Sequence, residues 1–226
     1  MTNKISSMDK MLSAGIHFGH RTSRWHPKMK PYIFTQRNGI HIIDLSITHD
    51  LLEIALDYMA RLAREDKSIL FVSTKTQTKA DLKELAISLK MPYVAEKWMG
   101  GTLTNFEVIK KSTRKFIDLQ AKKEAGKLSK YTKKEQLDFD KEIKKLETRV
   151  GGLVLLNKLP DAIFIWDAKK EATTIKEAVM LKIPVIAVCD TNTNPTGIKY
   201  VIPANDDSTR GLKLICDRIK EALKKS

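Results

Sequence analysis

Cysteine is scarce in this sequence, and long apolar runs are missing from it. Cys189 and Cys216 are the only cysteines, and both lie in apolar or amphipathic segments. This usage predicts two small core residues in a reducing compartment and excludes a disulfide-stabilised scaffold. No apolar run approaches the ~20 residues that a membrane-spanning helix requires. Residues 1–7 also lack the apolar core of a secretory signal, so we expect neither a membrane anchor nor secretion.

Nucleotide-binding and catalytic motifs are also lacking. Neither G-x-G-x-x-G nor G-x-x-x-x-G-K-[ST] occurs, and the turn at residues 73–77 contains no glycine. No Ser-His-Asp or Cys-His arrangement can be argued from spacing. His17, His20 and His26 come without a cysteine, in a spacing that matches no zinc pattern. The sequence therefore gives catalysis no positive support, and we expect no cofactor.

Several aspartates follow apolar segments and offer one possible metal site. A carboxylate cluster at Asp190, Asp206 or Asp207 is a conceivable site for structural Mg²⁺. The structural alternative is that Asp206 or Asp207 caps the last helix, while Asp190 belongs to a turn. We favour the structural alternative.

Positive charge is distributed unevenly along the chain. The sequence has 41 Lys and Arg residues against 27 Asp and Glu residues, a formal net charge of +14. Residues 1–37 and residues 107–149 each have a net charge of +6, which leaves +2 for the other 146 residues. Two basic regions beside a nearly neutral body predict a polyanionic partner such as nucleic acid. The alternative is a solvated helix surface with alternating Lys and Glu.

Outside the basic regions, short apolar runs alternate with helical patterns. The strand-like runs are residues 68–72, 93–95, 162–166, 184–189 and 200–202. The helical patterns are residues 48–64, 79–90, 170–181 and 208–224. Continuous apolar runs are typical of strands that are covered on both faces. The alternation therefore predicts an α/β fold, a doubly wound parallel sheet with helices on both sides.

Residues 104–150 interrupt this alternation with two helical patterns around a bend at residues 125–129. Thr104/Glu107 and Thr132/Glu135 each fit the capping box that marks a helix start. Apolar or small residues recur at a 3-4 spacing, namely Phe106, Ile109, Thr113 and Phe116, then Phe139, Ile143, Leu146 and Val150. This spacing is typical of a narrow coiled-coil seam. We predict an inserted α-helical coiled-coil hairpin, bracketed by the glycine pairs at residues 100–101 and 151–152.

The first 37 residues combine a short helical pattern around residues 7–14 with a loop. Gly15, Gly19, Pro27 and Pro31 favour an extended loop over a helix. The Asn-Gly pair at residues 38–39, between two apolar runs, predicts a β-hairpin turn. In the loop, basic side chains interleave with tryptophan and histidine, a mixture that suits phosphate contacts and stacking on unpaired bases.

Several stretches resemble the signature segments of the bacterial-type small-subunit ribosomal protein two family. They are residues 15–20 (GIHFGH), 25–29 (WHPKM), 97–105 (KWMGGTLTN), 159–162 (LPDA), 183–185 (IPV), 190–192 (DTN) and 202–207 (IPANDD). The resemblance covers nearly the whole chain. It implies a flavodoxin-like body with a coiled-coil hairpin and a non-enzymatic role: binding small-subunit ribosomal RNA and supporting translation. Lys97 and Met99 stand where the family commonly has arginine and leucine.

The resemblance also implies domains and site residues. We expect a basic N-terminal helix and RNA-contacting loop (1–37), an α/β body (38–103 and 151–226) and the hairpin (104–150). The expected RNA-binding residues are Arg21, Arg24, Trp25, His26, Lys28, Lys30, Arg37, Lys97, Lys110, Lys111, Arg114 and Lys115. Most of these would hold phosphates. Trp25 would either stack at the RNA surface or anchor the loop in the body.

The expected partners are small-subunit ribosomal RNA and neighbouring ribosomal proteins, including the large messenger-binding one. We expect no membrane partner and no homo-oligomer, and a ribosome-bound location in the cytoplasm, with an organellar ribosome left open. The alternative is a flavodoxin-like phosphosugar or nucleotide-processing enzyme with a basic docking hairpin. A third class is a regulatory binder of double-stranded nucleic acid outside the ribosome.

Overall fold

The N-terminal part of the chain forms a helix and a small antiparallel sheet. The computed structural model describes residues 2–128 and 130–224. Helix α1 (Thr2–Ser13) precedes β1 (Phe18–Arg21), β2 (Ile33–Arg37) and β3 (Ile40–Ile43), which pair in the order β1-β3-β2. The predicted turn joins β2 to β3, with Asn38 and Gly39 both at positive φ (51° and 73°). A turn whose two central residues both have left-handed conformations matches the right-handed twist of the strands that it joins.

The expected extended loop between Gly15 and Pro31 is wrong as a description of the local backbone. β1 lies within it and pairs with β3, and two 3₁₀ helices follow, at Thr22–Arg24 and Pro27–Tyr32. Pro27 occupies the first position of the second 3₁₀ helix, where a missing backbone N–H costs nothing.

The rest of the chain builds a five-stranded parallel sheet with helices around it. In chain order the elements are α2 (Leu45–Arg64), β4 (Ile69–Val72), α3 (Lys79–Ser88), β5 (Tyr93–Val94), α4 (Phe106–Glu124), α5 (Lys133–Val150), β6 (Ala162–Ile165), α6 (Ala172–Met180), β7 (Val185–Cys189), β8 (Tyr200–Pro203) and α7 (Thr209–Lys224). The strand order is β5-β4-β6-β7-β8, and every pairing is parallel. The predicted α/β fold with a parallel sheet is confirmed.

Alternate residues of the central strands enter two separate cores. Phe71 and Phe164 pack in one core with residues of α1, α2, α3 and α7, such as Leu52. Leu70 and Ile163 pack in the other core with residues of α4, α5 and α6. Successive strand side chains point to opposite faces, so a continuous apolar run supplies both cores at once.

Helices α4 and α5 follow one another through a short bend and pack together. Residues of the predicted seam, including Ile109, Phe116 and Ile143, are buried in a single apolar cluster. The capping box at Thr132 is confirmed, because the backbone N–H of Glu135 donates to the Thr132 hydroxyl, and the Glu135 carboxylate accepts from the Thr132 backbone N–H. The capping box at Thr104 is wrong. Asn105 precedes α4 without a side-chain cap.

The predicted cap of helix α7 is wrong, whereas the predicted burial of the two cysteines is confirmed. The Ser208 hydroxyl accepts a hydrogen bond from the Gly211 backbone N–H at 3.0 Å, so Ser208 caps α7, and neither Asp206 nor Asp207 does. Both cysteines are buried, as predicted. Burial raises the pKa of both thiols, that of Cys216 to about 12. Within the described ranges, no helix combines the length and apolarity needed to cross a bilayer.

Candidate nucleic-acid interface

The first candidate surface is the basic segment, by which we mean residues 10–43. It contains no aspartate or glutamate, since Asp9 and Asp44 flank it. All five of its predicted phosphate-binding side chains are exposed: Arg21, Arg24, Lys28, Lys30 and Arg37. Lys28 donates a hydrogen bond to the Thr196 hydroxyl at 2.6 Å. Exposed cations without carboxylates in their own segment are available to an external anion.

The basic segment is fixed to the body through the loop after β7. The His26 backbone N–H donates to the Thr191 carbonyl at 2.8 Å, and the His20 backbone N–H donates to the Thr191 hydroxyl at 2.9 Å. Gly19 permits this approach, because a Cβ there would lie 2.6 Å from the Thr191 methyl carbon. The predicted RNA-binding residue His26 therefore has a structural role as well. Its Nδ1 also accepts from the Lys28 backbone N–H and starts the second 3₁₀ helix.

Trp25 lies on the outer side of the basic segment. Its side chain is 36% exposed, and its ring centroid is 5.2 Å from that of His41 on β3. The two rings border a pocket of about 260 Å³, together with Lys30, Ile33, Thr35 and Gln36. Trp25 thus combines a packing contact with a partly exposed ring, and the two alternatives weighed for it are compatible.

Aspartates and one lysine gather at the carboxyl ends of the parallel strands. Lys75 lies in the loop directly after β4, and its Nζ lies 2.7 Å from Oδ1 of Asp206, 2.5 Å from Oδ1 of Asp207 and 3.5 Å from Oδ2 of Asp167. Burial lowers the pKa of Lys75, but its hydrogen bonds to Asp206 and Asp207 outweigh this effect and raise the pKa above its usual value. A protonated ammonium therefore stands among the carboxylates considered for magnesium.

His20 extends this charged group toward the basic segment. Its Nδ1 lies 3.0 Å from Oδ2 of Asp190, and this carboxylate raises the pKa of His20 against the opposing effect of burial. Arg21 and Arg24 line the same cleft as Asp190 and Asp207. In the part of the chain that the structure describes, no three His, Cys, Asp or Glu side chains are arranged to hold a metal ion. The magnesium hypothesis at Asp190, Asp206 or Asp207 stays a prediction.

The second candidate surface is the first half of α4. Lys111 and Arg114 are exposed and, within the described ranges, form no ion pair. Lys110 lies 4.0 Å from Glu107, and Lys115 pairs with Glu142 of α5. Exposed pairs of this kind contribute only about 0–1 kcal/mol, so an RNA phosphate can compete for the lysines. Lys97, in the loop before α4, is exposed as well.

Glu177 on α6 is a key residue that sequence reasoning missed. It is 6% exposed, and its carboxylate accepts hydrogen bonds from Trp98 Nε1 (3.0 Å) and from the backbone N–H groups of Gly101 (2.9 Å), Leu103 (3.0 Å) and Thr104 (3.3 Å). Burial raises the pKa of Glu177, but these hydrogen bonds outweigh it and the pKa falls below its usual value. Glu177 therefore fixes the loop that leads into α4.

A sequence signal for Glu177 does exist. It shares the buried face of α6 with Thr174, Ile175 and Ala178. A glutamate on the buried face of a helix needs hydrogen-bond donors from elsewhere. Periodicity could have identified the residue, although it could not have named its partners, which lie more than 70 positions earlier in the chain.

Comparison with known proteins relates the chain to one family. A family model described as "Ribosomal protein S2" matches residues 11–226. A curated relative, the small ribosomal subunit protein uS2 of Coprothermobacter proteolyticus, is 43% identical over 219 residues, which cover 97% of this chain and 82% of the relative. The matched region includes residues 11–43 of the basic segment, α4, α5 and the entire parallel sheet.

Proposed function

Because the chain belongs to the ribosomal protein S2 family, we propose that its basic segment and helix α4 bind small-subunit ribosomal RNA. As a member of this family, the protein is a structural, non-enzymatic constituent of the small ribosomal subunit and serves translation. The alternative of a phosphosugar or nucleotide-processing enzyme has no support. The observation that carries the RNA proposal is a basic segment that contains no carboxylate and exposes its arginines and its lysines at positions 28 and 30. This segment is held at Thr191, just after the carboxyl end of β7.

The basic segment is suited to phosphates more than to base edges in a groove. Its arginines and lysines project from short strands and 3₁₀ helices that are fixed to the body, so they form a preset pattern of positive charge. Contacts of this kind position an RNA by its shape and backbone. The predicted residues Arg21, Arg24, Lys28, Lys30 and Arg37 would each contact a phosphate. Lys111 and Arg114 would contact a second RNA element.

The finer architecture belongs to the same proposal. We infer that α4 and α5 form a coiled-coil arm, supported by the burial of Ile109, Phe116 and Ile143 along the predicted seam. The ion pair between Lys123 and Asp140 at 2.7 Å also joins the two helices. The sheet order β5-β4-β6-β7-β8 corresponds to 2-1-3-4-5, the order of flavodoxin-like sheets, and supports that description of the body.

We further propose that the protein works while bound to the ribosome and contacts neighbouring small-subunit proteins, including the large messenger-binding one. Family membership supports a ribosomal setting. The particular neighbours rest on the resemblance alone.

The test is the salt dependence of binding to small ribosomal subunits stripped of this protein. Changing Arg21, Arg24 and Lys28 to Ala together should weaken binding and reduce the slope of log K against log salt by about 2–3, since each lost phosphate contact removes roughly 0.7–0.9. A matched control changes Arg210, Lys213 and Lys220 of α7 to Ala, which removes the same charge from another surface. Unchanged affinity and slope in the first variant would refute the proposal for the basic segment.

A further inference from the structure

His41 is a buried side chain without a hydrogen-bond partner. It is 9% exposed, and within the described ranges neither Nδ1 nor Nε2 forms a hydrogen bond. Leaving a buried polar group unpaired is unfavourable, so most buried ring nitrogens in proteins have a partner. The closest aromatic neighbour is Trp25, whose ring is tilted by 46° to the imidazole. This unpaired imidazole has no role in the phosphate contacts described above.

The pocket beside His41 has the size of one ring system. Its volume of about 260 Å³ lies below the ≈ 300–1,000 Å³ typical of sites for drug-sized ligands. Ile33 supplies an apolar wall, Thr35 and Gln36 supply polar groups, and Trp25 supplies a partly exposed indole ring. A flat heterocycle with polar edges fits this composition, because one face can stack on the indole while an edge reaches the imidazole.

The charge around the pocket selects the kind of molecule that carries the heterocycle. Lys30 lines the pocket, and Lys28 and Arg37 are exposed in the same basic segment, which has no carboxylate. A lysine on the wall of an aromatic pocket matches a nucleotide, whose phosphate and base need different environments. An uncharged or basic peptide side chain would gain nothing from the charge of Lys30.

We propose that the pocket bordered by Trp25 and His41 receives a single unpaired base of the ribosomal RNA. The inference rests on the proposed function and deepens it: the RNA is held at this point by base stacking as well as by phosphate contacts. Trp25 stacks on the base, His41 forms a hydrogen bond with the edge of the base, and Lys30 contacts the adjacent phosphate. Both nitrogens of His41 are shielded in the free protein, so the indole of Trp25 shifts as the base enters.

The experiment uses the full chain and stripped small subunits, with three single variants. His41→Phe keeps an aromatic ring and removes the unpaired nitrogens, so the free protein should melt at the same or a higher temperature. Its affinity for the subunits should nevertheless fall, roughly 3- to 10-fold, because the hydrogen bond to the base is lost. Trp25→Ala removes the stacking surface and should weaken binding roughly 5- to 150-fold. Neither variant should change the salt slope, because neither removes a lysine or an arginine.

Lys30→Ala is the control that separates this inference from the proposed function. It should reduce the salt slope by roughly 0.7–0.9. If it does so while His41→Phe and Trp25→Ala bind like the wild type, the phosphate contacts stand and the base pocket is refuted. Unchanged slopes for Lys30→Ala and for the triple variant of the basic segment would refute both.

Chemical probing of the RNA bases gives an independent readout. One unpaired base should be protected in subunits that contain the wild-type protein and become reactive with both His41→Phe and Trp25→Ala. A protection pattern identical for all three proteins would overturn the proposal, and His41 would then be a structural residue of the small sheet.

Discussion

Replacing Glu177 with alanine should disconnect the loop that leads into α4 from the body. The substitution removes the acceptor for Trp98 Nε1 and for the backbone N–H groups of Gly101, Leu103 and Thr104. Each buried donor left unpaired costs about 1–3 kcal/mol. Leu103 is only 2% exposed, so its N–H is the least able to find water, whereas the donors at Gly101 and Thr104 are nearer to solvent. We therefore expect a loss of about 3–5 kcal/mol in the free energy of unfolding.

Equilibrium urea unfolding at pH 7 measures this loss, with two variants for calibration. Glu177→Gln retains one acceptor oxygen but turns an NH₂ group toward donors that it cannot satisfy, so it should recover at most about half of the effect. Glu221→Ala on α7 removes an exposed glutamate and should stay within about 0.5 kcal/mol of the wild type. A Glu177→Ala variant as stable as Glu221→Ala would refute the assignment of Glu177 as the anchor of this loop.

The pH dependence gives a second check on the same residue. The pKa of Glu177 is lower in the folded protein than the ≈ 4.3 of an unperturbed glutamate. Its contribution to stability is therefore complete above about pH 4.3 and lost as the pH falls through the lower, folded value. The stability difference between wild type and Glu177→Gln should be constant from pH 8 to pH 5 and shrink only in more acidic solution. A difference that already shrinks near pH 6 would contradict the lowered pKa.

Two further predictions concern a close backbone approach and a buried acid. Gly152→Ala should destabilise the protein by about 1–3 kcal/mol in thermal unfolding, because the new Cβ would collide with the Tyr93 carbonyl oxygen. The control is Gly100→Ala, whose new Cβ meets no atom within 4 Å, so its effect on stability should be close to zero. Equal destabilisation by the two substitutions would contradict this prediction. Burial, together with Asp167 and Asp190, raises the pKa of Asp206 to about 6, so its contribution to stability is lost as the pH rises through 6 and regained on acidification. Melting curves between pH 4 and pH 7 should show this dependence in the wild type, mostly below pH 6, and much less of it in Asp206→Asn. Parallel curves would exclude it.

The sheet could be predicted from the sequence because its signals are local. Continuous apolar runs gave the central strands, and helical periodicity gave the helices, with the bounds of α3 at Lys79–Ser88 against a predicted 79–90. The Asn-Gly pair located the β2–β3 turn for the same reason. In each case the residues that specify the element are the residues that form it.

Other local signals failed where a distant residue competes for the same group. The Thr104 hydroxyl fits a capping box, but Glu177 accepts its hydrogen bond at 3.3 Å. Asp206 fits a helix cap, but Lys75, 131 positions earlier, pairs with it. Glycine and proline favoured a loop at residues 16–31, yet part of that loop pairs with β3 and is fixed at Thr191. Tertiary contacts decided all three.

For the candidate site, the sequence supplied the charges but could not supply their surroundings. Composition and the family resemblance identify Arg21, Arg24 and the lysines of α4, because clustered cations are visible without a structure. The pairing of Lys115 with Glu142 and the unpaired nitrogens of His41 depend on packing between elements. They appear only once those elements are placed.

The ammonium of Lys75 has a consequence for how RNA approaches the molecule. Asp190 and Asp207 border the cleft of Arg21 and Arg24, and uncompensated carboxylates there would repel an incoming phosphate. Lys75 provides a counterion for Asp206 and Asp207. This ammonium offsets part of the negative charge at the carboxyl ends of the strands, so an incoming phosphate meets less repulsion on its way to the neighbouring guanidinium groups.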